Sequence, residues 1–491
     1  MRFLRVFVVL LALAACGFGK GWVGQQMVNY PNGDTYDGQP CIAVDGSGRP
    51  WMAWDRGHLD PSLMYTRWLG DRWDTERPVG PNLPGVKSCC KPRMCFDGHG
   101  RAWLVWHNVD TFRDISFRRW ADTGWTPEMQ VNVPDSSELD FAPRVACGGG
   151  QVWCVWYGGP TDMSPYSVFA SRWNEGGGCW EPEMQVSPAD GNYHWWCDVA
   201  VDTNGTPHVV WCTHPLYTVF HSYYDGDRWS KPEPVNDTTA VTASPWADPH
   251  IVIDRTGMMH LCFTGAVVGA LHRDIFYTRN DGSGWQPCQK VSQDSIYDEW
   301  YSDIAADRPD NVWVVWDRQS EGPDQFRVYA CHYDGVIWSQ EERLDNDSAY
   351  YDISTDLTLD SSGSPWVTWE GMLYGGRNSD VFYNRRVDAS LADKNQRQGG
   401  RPGLSLTVAN PVLRAARFGF EIESAASVSL EVFDEAGRRV WLSPSRYLSA
   451  GHHVIEWDAC PNGVRAAAGV YYCSLSTSEA RTVCKFVIMP L

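Results

Sequence analysis

The 491-residue sequence predicts an all-β chain: a seven-bladed β-propeller closed by its own N-terminal strand, then a small C-terminal β-sandwich. Three observations carry this expectation. A unit of about fifty residues recurs seven times; each copy holds short alternating segments between Gly, Asn, Asp and Pro turns; and the outer segment missing from the last copy stands before the first. The 45 Gly and 30 Pro interrupt the chain too often for long helices.

The recurring unit reads apolar-x-apolar-Asp, a Gly-bearing turn, then Trp-x-x-Trp. It runs CIAVDGSGRPWMAW to Trp54, RMCFDGHGRAWLVW to Trp106, RVACGGGQVWCVW to Trp156 and DVAVDTNGTPHVVW to Trp211. HIVIDRTGMMHLCF to Phe263, DIAADRPDNVWVVW to Trp316 and DLTLDSSGSPWVTW to Trp369 follow. The first aromatics of these pairs stand at 51, 103, 153, 208, 260, 313 and 366, so the period stays between 50 and 55 residues. An aromatic third segment follows each, such as ISFRRW or DIFYTR, and a further Trp opens a fourth, such as GWTPEMQVN. Those opening Trp fall at 73, 125, 180, 229, 285 and 338; the seventh is Trp22, in the segment Gly21 to Asn29. An N-terminal strand completing the last blade pairs two edges that would otherwise invite aggregation.

These repeats resemble sialidase-type, BNR-like propeller repeats over about residues 22–387. The family's Asp-box turn joins third and fourth strands; Asp225-Gly226…Trp229, Asp281-Gly282…Trp285 and Asp334-Gly335…Trp338 are similar to it with one residue fewer. The Asp is expected to cap turn N–H groups and the Trp to pack between sheets. The resemblance implies a fold, not an activity.

The flanks read differently. Arg2 and Arg5 precede an apolar stretch, Val6 to Ala15, too short to span a bilayer comfortably: an export signal over residues 1–16. Leu13-Ala14-Ala15-Cys16 resembles a lipobox with Cys16 as the lipidated residue, the alternative being a plain secretory signal with Cys16 incidental. Residues 21–387 are the expected propeller and 388–404 a polar, Gly-rich linker. Residues 405–491 carry V-F-D-x-x-G-R-R-V, L-x-x-G-x-H-x-x-x-W and G-V-Y-Y, and are similar to FlgD-like immunoglobulin folds and to C-terminal sorting domains of type IX secretion cargo. That resemblance implies sorting machinery as a partner and a place outside the cell or on its outer surface. Cys473 and Cys484 flank a hairpin turn at Ser478-Glu479 nearly symmetrically, which suits a disulfide. Cys89, Cys90 and Cys95 lack paired C-x2-C spacing and read as structural thiols or disulfides rather than a zinc site.

The formal charge is −19, and residues 401–491 are nearly neutral, so the acidity belongs to the repeats. An acidic body argues against nucleic acid and anionic lipid as partners, leaving a lipid anchor as the only membrane contact. A monomer is expected.

A propeller ligand sits over the channel, on loops that lead into the inner strands. Eight residues before each Asp of the repeat stand Asp37, Cys89, Asp140, His194, Trp246, Glu299 and Asp352. Four residues before it stand Cys41, Arg93, Arg144, Asp198, His250, Asp303 and Asp356; Gly148 takes the place of that Asp in the third repeat. Tyr193, Trp195, Trp196, Trp300 and Tyr351 add rings. Carboxylates with aromatic rings suit carbohydrate, and Arg93 and Arg144 suit a carboxylate or sulfate. Against this stands a structural role, acidic residues binding the backbone of the neighbouring blade. Two classes of function follow: a module that recognises glycans or makes surface contacts, or an enzyme. A glycosidase requires two carboxyl groups, or a Tyr–Glu pair with an Asp acid, from Asp37, Asp140, Glu299, Asp352 and Tyr351. A polyuronate lyase requires a base and a cation from Tyr193, His194, His250 and Arg144. The sialidase Arg-Ile-Pro motif and arginine triad are not found, so the binding module is preferred. No metal or cofactor is called for; calcium near Asp345-Asn346-Asp347 is only a weak pattern.

Overall fold

The computed structural model describes residues 20–29, 36–57, 62–80, 89–108, 113–132, 139–160, 165–293, 296–319, 325–346, 349–373, 378–388, 404–408, 416–422, 425–434, 438–458, 466–467, 469–477 and 481–488. Among them there is no helix; regular structure is strand. Among the described residues no helix is long and apolar enough to cross a membrane.

Each sequence repeat folds as an antiparallel sheet. In the first repeat Asp37–Val44, Pro50–Arg56, Ser62–Arg67 and Arg77–Pro78 pair in chain order. The long first strands of the others are Cys89–Phe96, Leu139–Gly148, Tyr193–Val201, Glu299–Arg308 and Ala349–Leu359; the fifth repeat splits its own into Val241–Ala243 and His250–Ile253. The last repeat supplies three strands, Ala349–Leu359, Pro365–Leu373 and Asp380–Asp388. Lys20–Trp22 and Gln26–Met27 then pair with Asp380–Asp388, Trp22 opposite Arg386 and Met27 opposite Phe382. The sheets are separate except for one parallel bridge, Phe326 to Tyr351, between the sixth and seventh repeats.

The first strands of successive repeats lie against one another in order, and Ala349–Leu359 lies against Asp37–Val44. Side chains bond these seams. Asp198 Oδ2 accepts the Ile251 N–H at 2.9 Å and Asp303 Oδ2 the Leu357 N–H at 2.6 Å. Asp356 Oδ2 accepts the Ile42 N–H at 2.7 Å, across 314 residues of sequence.

The tryptophans make the packing between sheets. Trp51 stacks on Tyr65 of its own sheet and meets Phe96 and Trp120 of the next edge-on. Trp22 meets Trp313 the same way at 5.7 Å. Such aromatic pairs each add about 0.5–1.5 kcal/mol beyond area burial. The turn Asp holds its Trp: Trp51, Trp103 and Trp366 donate their indole N–H to Asp45, Asp97 and Asp360 at 2.9–3.2 Å. Where Gly148 replaces that Asp, the Trp153 indole N–H is buried without a partner. A side chain at Gly148 would run into the Val201 carbonyl, so close backbone approach of the next repeat requires glycine there. In the third-to-fourth turns Asp225 and Asp334 each accept two backbone N–H groups and Asp281 one, while Trp229, Trp285 and Trp338 pack on Trp153, His221 and Tyr277.

Cys95 is disulfide-bonded to Cys147 in the next repeat. The bond thus joins first strands of two repeats rather than members of the local cysteine cluster.

The C-terminal strands form two sheets. Leu404–Val408, Ala416–Ile422 and Gly451–Trp457 make one; Ala426–Asp434, Arg439–Leu442, Arg446–Leu448, Gly469–Ser476 and Arg481–Ile488 the other. They enclose one apolar core including Phe418, Phe420, Leu430, Val432, Trp457 and Phe486. Cys473 and Cys484 are register partners across the last hairpin. The Cys484 side chain, the turn at Ser478-Glu479, the leader with Cys16 and most of the linker lie outside the described residues.

Candidate functional site: a cation-lined cavity at the mouth of the repeats

A β-bulge interrupts the first strand of every repeat but the fifth, which breaks its strand at the same place. In the first repeat the register shifts between Gly38 and Cys41, so two residues oppose one on the partner strand. The equivalent shifts lie at Cys90/Arg93, Phe141/Arg144, Trp195/Asp198, Trp300/Asp303 and Ile353/Asp356. In all seven repeats the residue six before the turn Asp has a left-handed backbone: Gln39, Lys91, Ala142, Trp196, Asp248, Tyr301 and Ser354, with φ between 37° and 58°. None is glycine. Such a conformation costs roughly 1–2 kcal/mol per residue, and its recurrence makes it part of the architecture.

The bulge decides which side chains meet. In a regular strand residues four apart share a face. One extra residue between them reverses that, so the positions eight and four before the turn Asp point to opposite sides. Arg93, Arg144 and His250 of the inner set line the cavity. Asp37, Asp140, His194, Glu299 and Asp352 of the outer set are buried among the sheets.

That burial locates the carboxylates proposed from sequence for catalysis. Asp37 accepts from Trp54 Nε1 at 2.8 Å, Arg56 Nε at 2.6 Å and Asn29 Nδ2 at 2.9 Å. Asp140 accepts from Asn132 at 2.7 Å, Glu299 from Arg318 Nε at 2.8 Å, and Asp352 from Trp369 Nε1 at 2.9 Å. His194 accepts the Trp211 indole N–H on Nδ1 at 3.1 Å and donates from Nε2 to Asp190 at 3.0 Å, so it is the neutral tautomer; burial lowers its pKa. Burial pushes Glu299 up to about 8 against the pull of Arg318, and holds Asp352 well above the carboxylate range. The four carboxylates do not converge. Asp37, Glu299 and Asp352 bond the second strand of their own sheet, Asp37 and Asp140 bond Asn29 and Asn132 at the end of the outer segment of the adjoining sheet, and none lines the cavity.

The cavity, of about 360 Å³, is lined by Gln39, Lys91, Arg93, Arg144, Asp248, His250, Trp300, Tyr301, Ser302, Phe326, Tyr351, Ile353, Ser354 and Thr355. Five of the seven left-handed residues are among them. Arg93, Arg144, His250, Trp300 and Tyr351 were named from sequence; Gln39, Lys91 and Asp248 were not. The signal that finds them is the position six before the turn Asp, which a straight-strand reading passes over.

Charge is dense here. Arg144 is 5% exposed; its Nη2 lies 3.3 Å from Asp248, and its Nε and Nη1 make no hydrogen bond. His250 Nδ1 lies 3.1 Å from Asp303, and its Nε2 3.6 Å from Asp248. Burial opposes charge on this imidazole, but Asp303 and Asp248 outweigh it and push His250 up to about 10. It is therefore a cation at neutral pH. Arg93 Nε lies 3.8 Å from Asp356, and burial raises that carboxyl to about 6 despite Arg93. The wall thus presents four cations, Lys91, Arg93, Arg144 and His250, and one carboxylate, Asp248.

Beside the cavity lies an aromatic group. Lys91 Nζ stands 4.3 Å over the Trp196 ring, Trp196 meets Trp246 at 6.0 Å, and Trp246 stacks on Trp195 at 5.6 Å. Tyr193 packs on Trp195 at 5.6 Å. Trp196 is buried, while Trp246 is 44% exposed.

A larger groove of about 770 Å³ opens between the second and third repeats at their Asp97 and Gly148 turns. Its Arg101 pairs with Asp97 and Glu175, and its Arg172 with Glu181, so its charges are mutually satisfied. Among the described residues no group of three or more His, Cys, Asp or Glu is placed to hold a metal ion. Asp345 is engaged by Arg343 at 2.6 Å and by the Val328 N–H, and Asp347 lies outside the described residues.

No known protein family and no curated protein matches the sequence. Solved structures do. An ulvan lyase, described as a new family of polysaccharide lyase and bound to -[GlcA(1-4)Rha3S]-, matches with a TM-score of 0.51 at 10% identity, over 73% of this chain and 95% of its own. A protein of unknown function from Dyadobacter fermentans gives 0.46 at 11% identity over 75% and 99%. The NanB sialidase of Streptococcus pneumoniae gives 0.39 at 12% over 74% and 69%. At such identities the likeness is one of fold: this chain is all-β, and its structural neighbours are β-propellers.

Proposed function

We propose that residues 21–387 form a seven-bladed propeller closed by the N-terminal strands, and that its mouth recognises a carbohydrate bearing carboxylate or sulfate groups. Closure is supported by the Asp356–Ile42 seam and by the pairing of Lys20–Trp22 with Asp380–Asp388. The observation that carries recognition is Arg144, a buried guanidinium on the cavity wall with two nitrogens left without hydrogen bonds. An anionic oxygen satisfies such a group with charge-assisted bonds. Lys91, Arg93 and His250 add positive charge, and Trp300, Tyr301 and Tyr351 offer ring faces to a sugar. The likeness to an ulvan lyase holding a glucuronate-containing chain supports the same ligand class.

Binding without turnover is the better-supported activity. A lyase removes a carbon-bound proton with a base. His250 is already protonated at neutral pH, and burial and neighbouring carboxylates hold the Tyr301 phenol up to about 12. The carboxylates named for glycosidase chemistry face away from the cavity.

The remaining proposals concern export. Residues 1–16 act as a leader, with Cys16 as lipidation site or incidental residue; 388–404 link; and 405–491 form a sandwich that engages sorting machinery at the cell surface.

The test is calorimetric titration with oligosaccharides from ulvan and from polygalacturonate, with product absorbance followed in parallel. Wild type binds at least one of the two, and added salt weakens binding. Arg144→Met weakens it about 100-fold, the scale of losing one buried charged contact; Lys91→Ala, which leaves the buried network intact, weakens it about 5-fold. Binding of neither series by a folded wild type overturns the proposal, and unsaturated product overturns the non-catalytic part of it.

A further inference from the structure

The cavity is small for a polymer. Its 360 Å³ is near the low end for ligand sites, roughly 300–1,000 Å³. A chain with one acidic unit inside must continue outside, and the aromatic group leads away from the cavity wall. Asp248, in the wall, is two residues from Trp246. Lys91, also in the wall, caps Trp196, whose edge meets Trp246.

Trp246 is held as a platform. One side stacks on Trp195 at an interplanar angle of 20°, while Trp196 approaches at 68°. With 44% of its surface exposed, the ring keeps a solvent-facing side. The group continues through His214, 6.3 Å from Trp195, to Tyr217, which is 39% exposed. Tyr217 is itself a non-glycine residue in the left-handed region, φ 52°, so its backbone is strained in presenting that ring. Exposed rings backed by other rings, contiguous with a cation-lined cavity, need an explanation.

We propose that Trp246 and Tyr217 form an outer subsite that stacks sugar rings next to the acidic unit held by Arg144, so that the protein reads an internal stretch of an acidic polysaccharide rather than a single terminal sugar. This rests on the cavity reading above. The two sites divide the chemistry: the cavity takes the anionic group through charge, and the shelf takes the C–H faces of neighbouring units through its rings. Among the described residues no cation stands over its exposed rings, so it adds affinity through chain length and not through charge.

The experiment compares disaccharides with octasaccharides of the ulvan repeat -[GlcA(1-4)Rha3S]- and of polygalacturonate, by calorimetry. Wild type binds the octasaccharide at least tenfold tighter than the disaccharide. Trp246→Ala abolishes that gain and leaves disaccharide affinity unchanged, Tyr217→Ala reduces the gain, and Trp246→Phe keeps most of it. Both positions are exposed, and melting curves confirm that the variants fold. Disaccharide binding with no gain from length overturns the shelf alone, as does an octasaccharide affinity that Trp246→Ala leaves at the wild-type value. Equal loss for both lengths assigns Trp246 to the cavity and also overturns it. Failure of wild type to bind any of the four overturns the cavity reading and the shelf together.

Discussion

His250 shows how a single residue couples the site to stability. Its ordinary pKa is near 6.5, and in the fold Asp303 and Asp248 hold it near 10. The folded state therefore binds its proton more tightly than the unfolded state. The stabilisation is fully present below pH 6.5 and is lost as pH rises through 10. Asp356, raised by burial to about 6, and Glu299, raised to about 8, act with the same sign: each favours folding while protonated and loses that contribution as pH rises through its folded value. Melting temperature is thus expected to fall steadily between pH 6.5 and 10.5. His250→Gln flattens the upper part of this profile and lowers stability at pH 7 by about 3 kcal/mol, since two buried carboxylates lose their cation. A wild-type profile flat across that range contradicts the assignment.

At the scale of the element, the β-bulge governs. It separates two sets of residues that sequence spacing places on one face, and turns the inner set toward its neighbours. Three of that set, Asp198, Asp303 and Asp356, bond the backbone of the following first strand; Arg93, Arg144 and His250 fill the spaces between. The structural role weighed for acidic residues at these positions therefore accounts for one oxygen of each carboxylate. Removing either Asp303 or Asp356 leaves a buried N–H unsatisfied, at a loss of about 1–3 kcal/mol. Because the seam between the last and first repeats is built like the one before it, Asp356→Ala and Asp303→Ala are both expected to lower stability in chemical denaturation, Asp303→Ala by more because Asp303 also pairs with His250. A silent Asp356→Ala beside a destabilising Asp303→Ala means that the ring is not closed at that seam.

For the whole molecule, the proposed closure rests on a short N-terminal segment. Lys20–Trp22 and Gln26–Met27 cover the edge of Asp380–Asp388, Trp22 packs on Trp313, and Asn29 bonds both Asp37 and Asp380. A chain of residues 30–491, compared with one of 20–491, exposes that strand and removes the bonds. It is expected to melt at lower temperature and to associate on size-exclusion chromatography, as an uncovered sheet edge does. Equal melting and a monodisperse truncated chain contradict it.

Much of the architecture was readable along the chain, because it is local or periodic. Alternation marked the strands, Asp and Gly marked the turns, and the recurrence of Trp at one position per repeat marked the packing between sheets. The displaced Trp22 segment told which edge it covers, since only one outer strand was missing. The site was less readable. Arg93, Arg144, His250, Trp300 and Tyr351 were reached by comparing repeats, yet Asp37, Asp140, Glu299 and Asp352 were reached by the same comparison and lie inside the sheets. One inserted residue reverses a strand's faces without changing its composition, and no residue type marks it: Gln, Lys, Ala, Trp, Asp, Tyr and Ser all occupy the left-handed position. The partners of Arg144 and Cys95 were likewise invisible, standing 104 and 52 residues away. Period and turn chemistry are properties of the chain and were determined by sequence alone. Which charges meet at the cavity depends on the bulge and on which first strands pack against one another, and only the tertiary structure decided it.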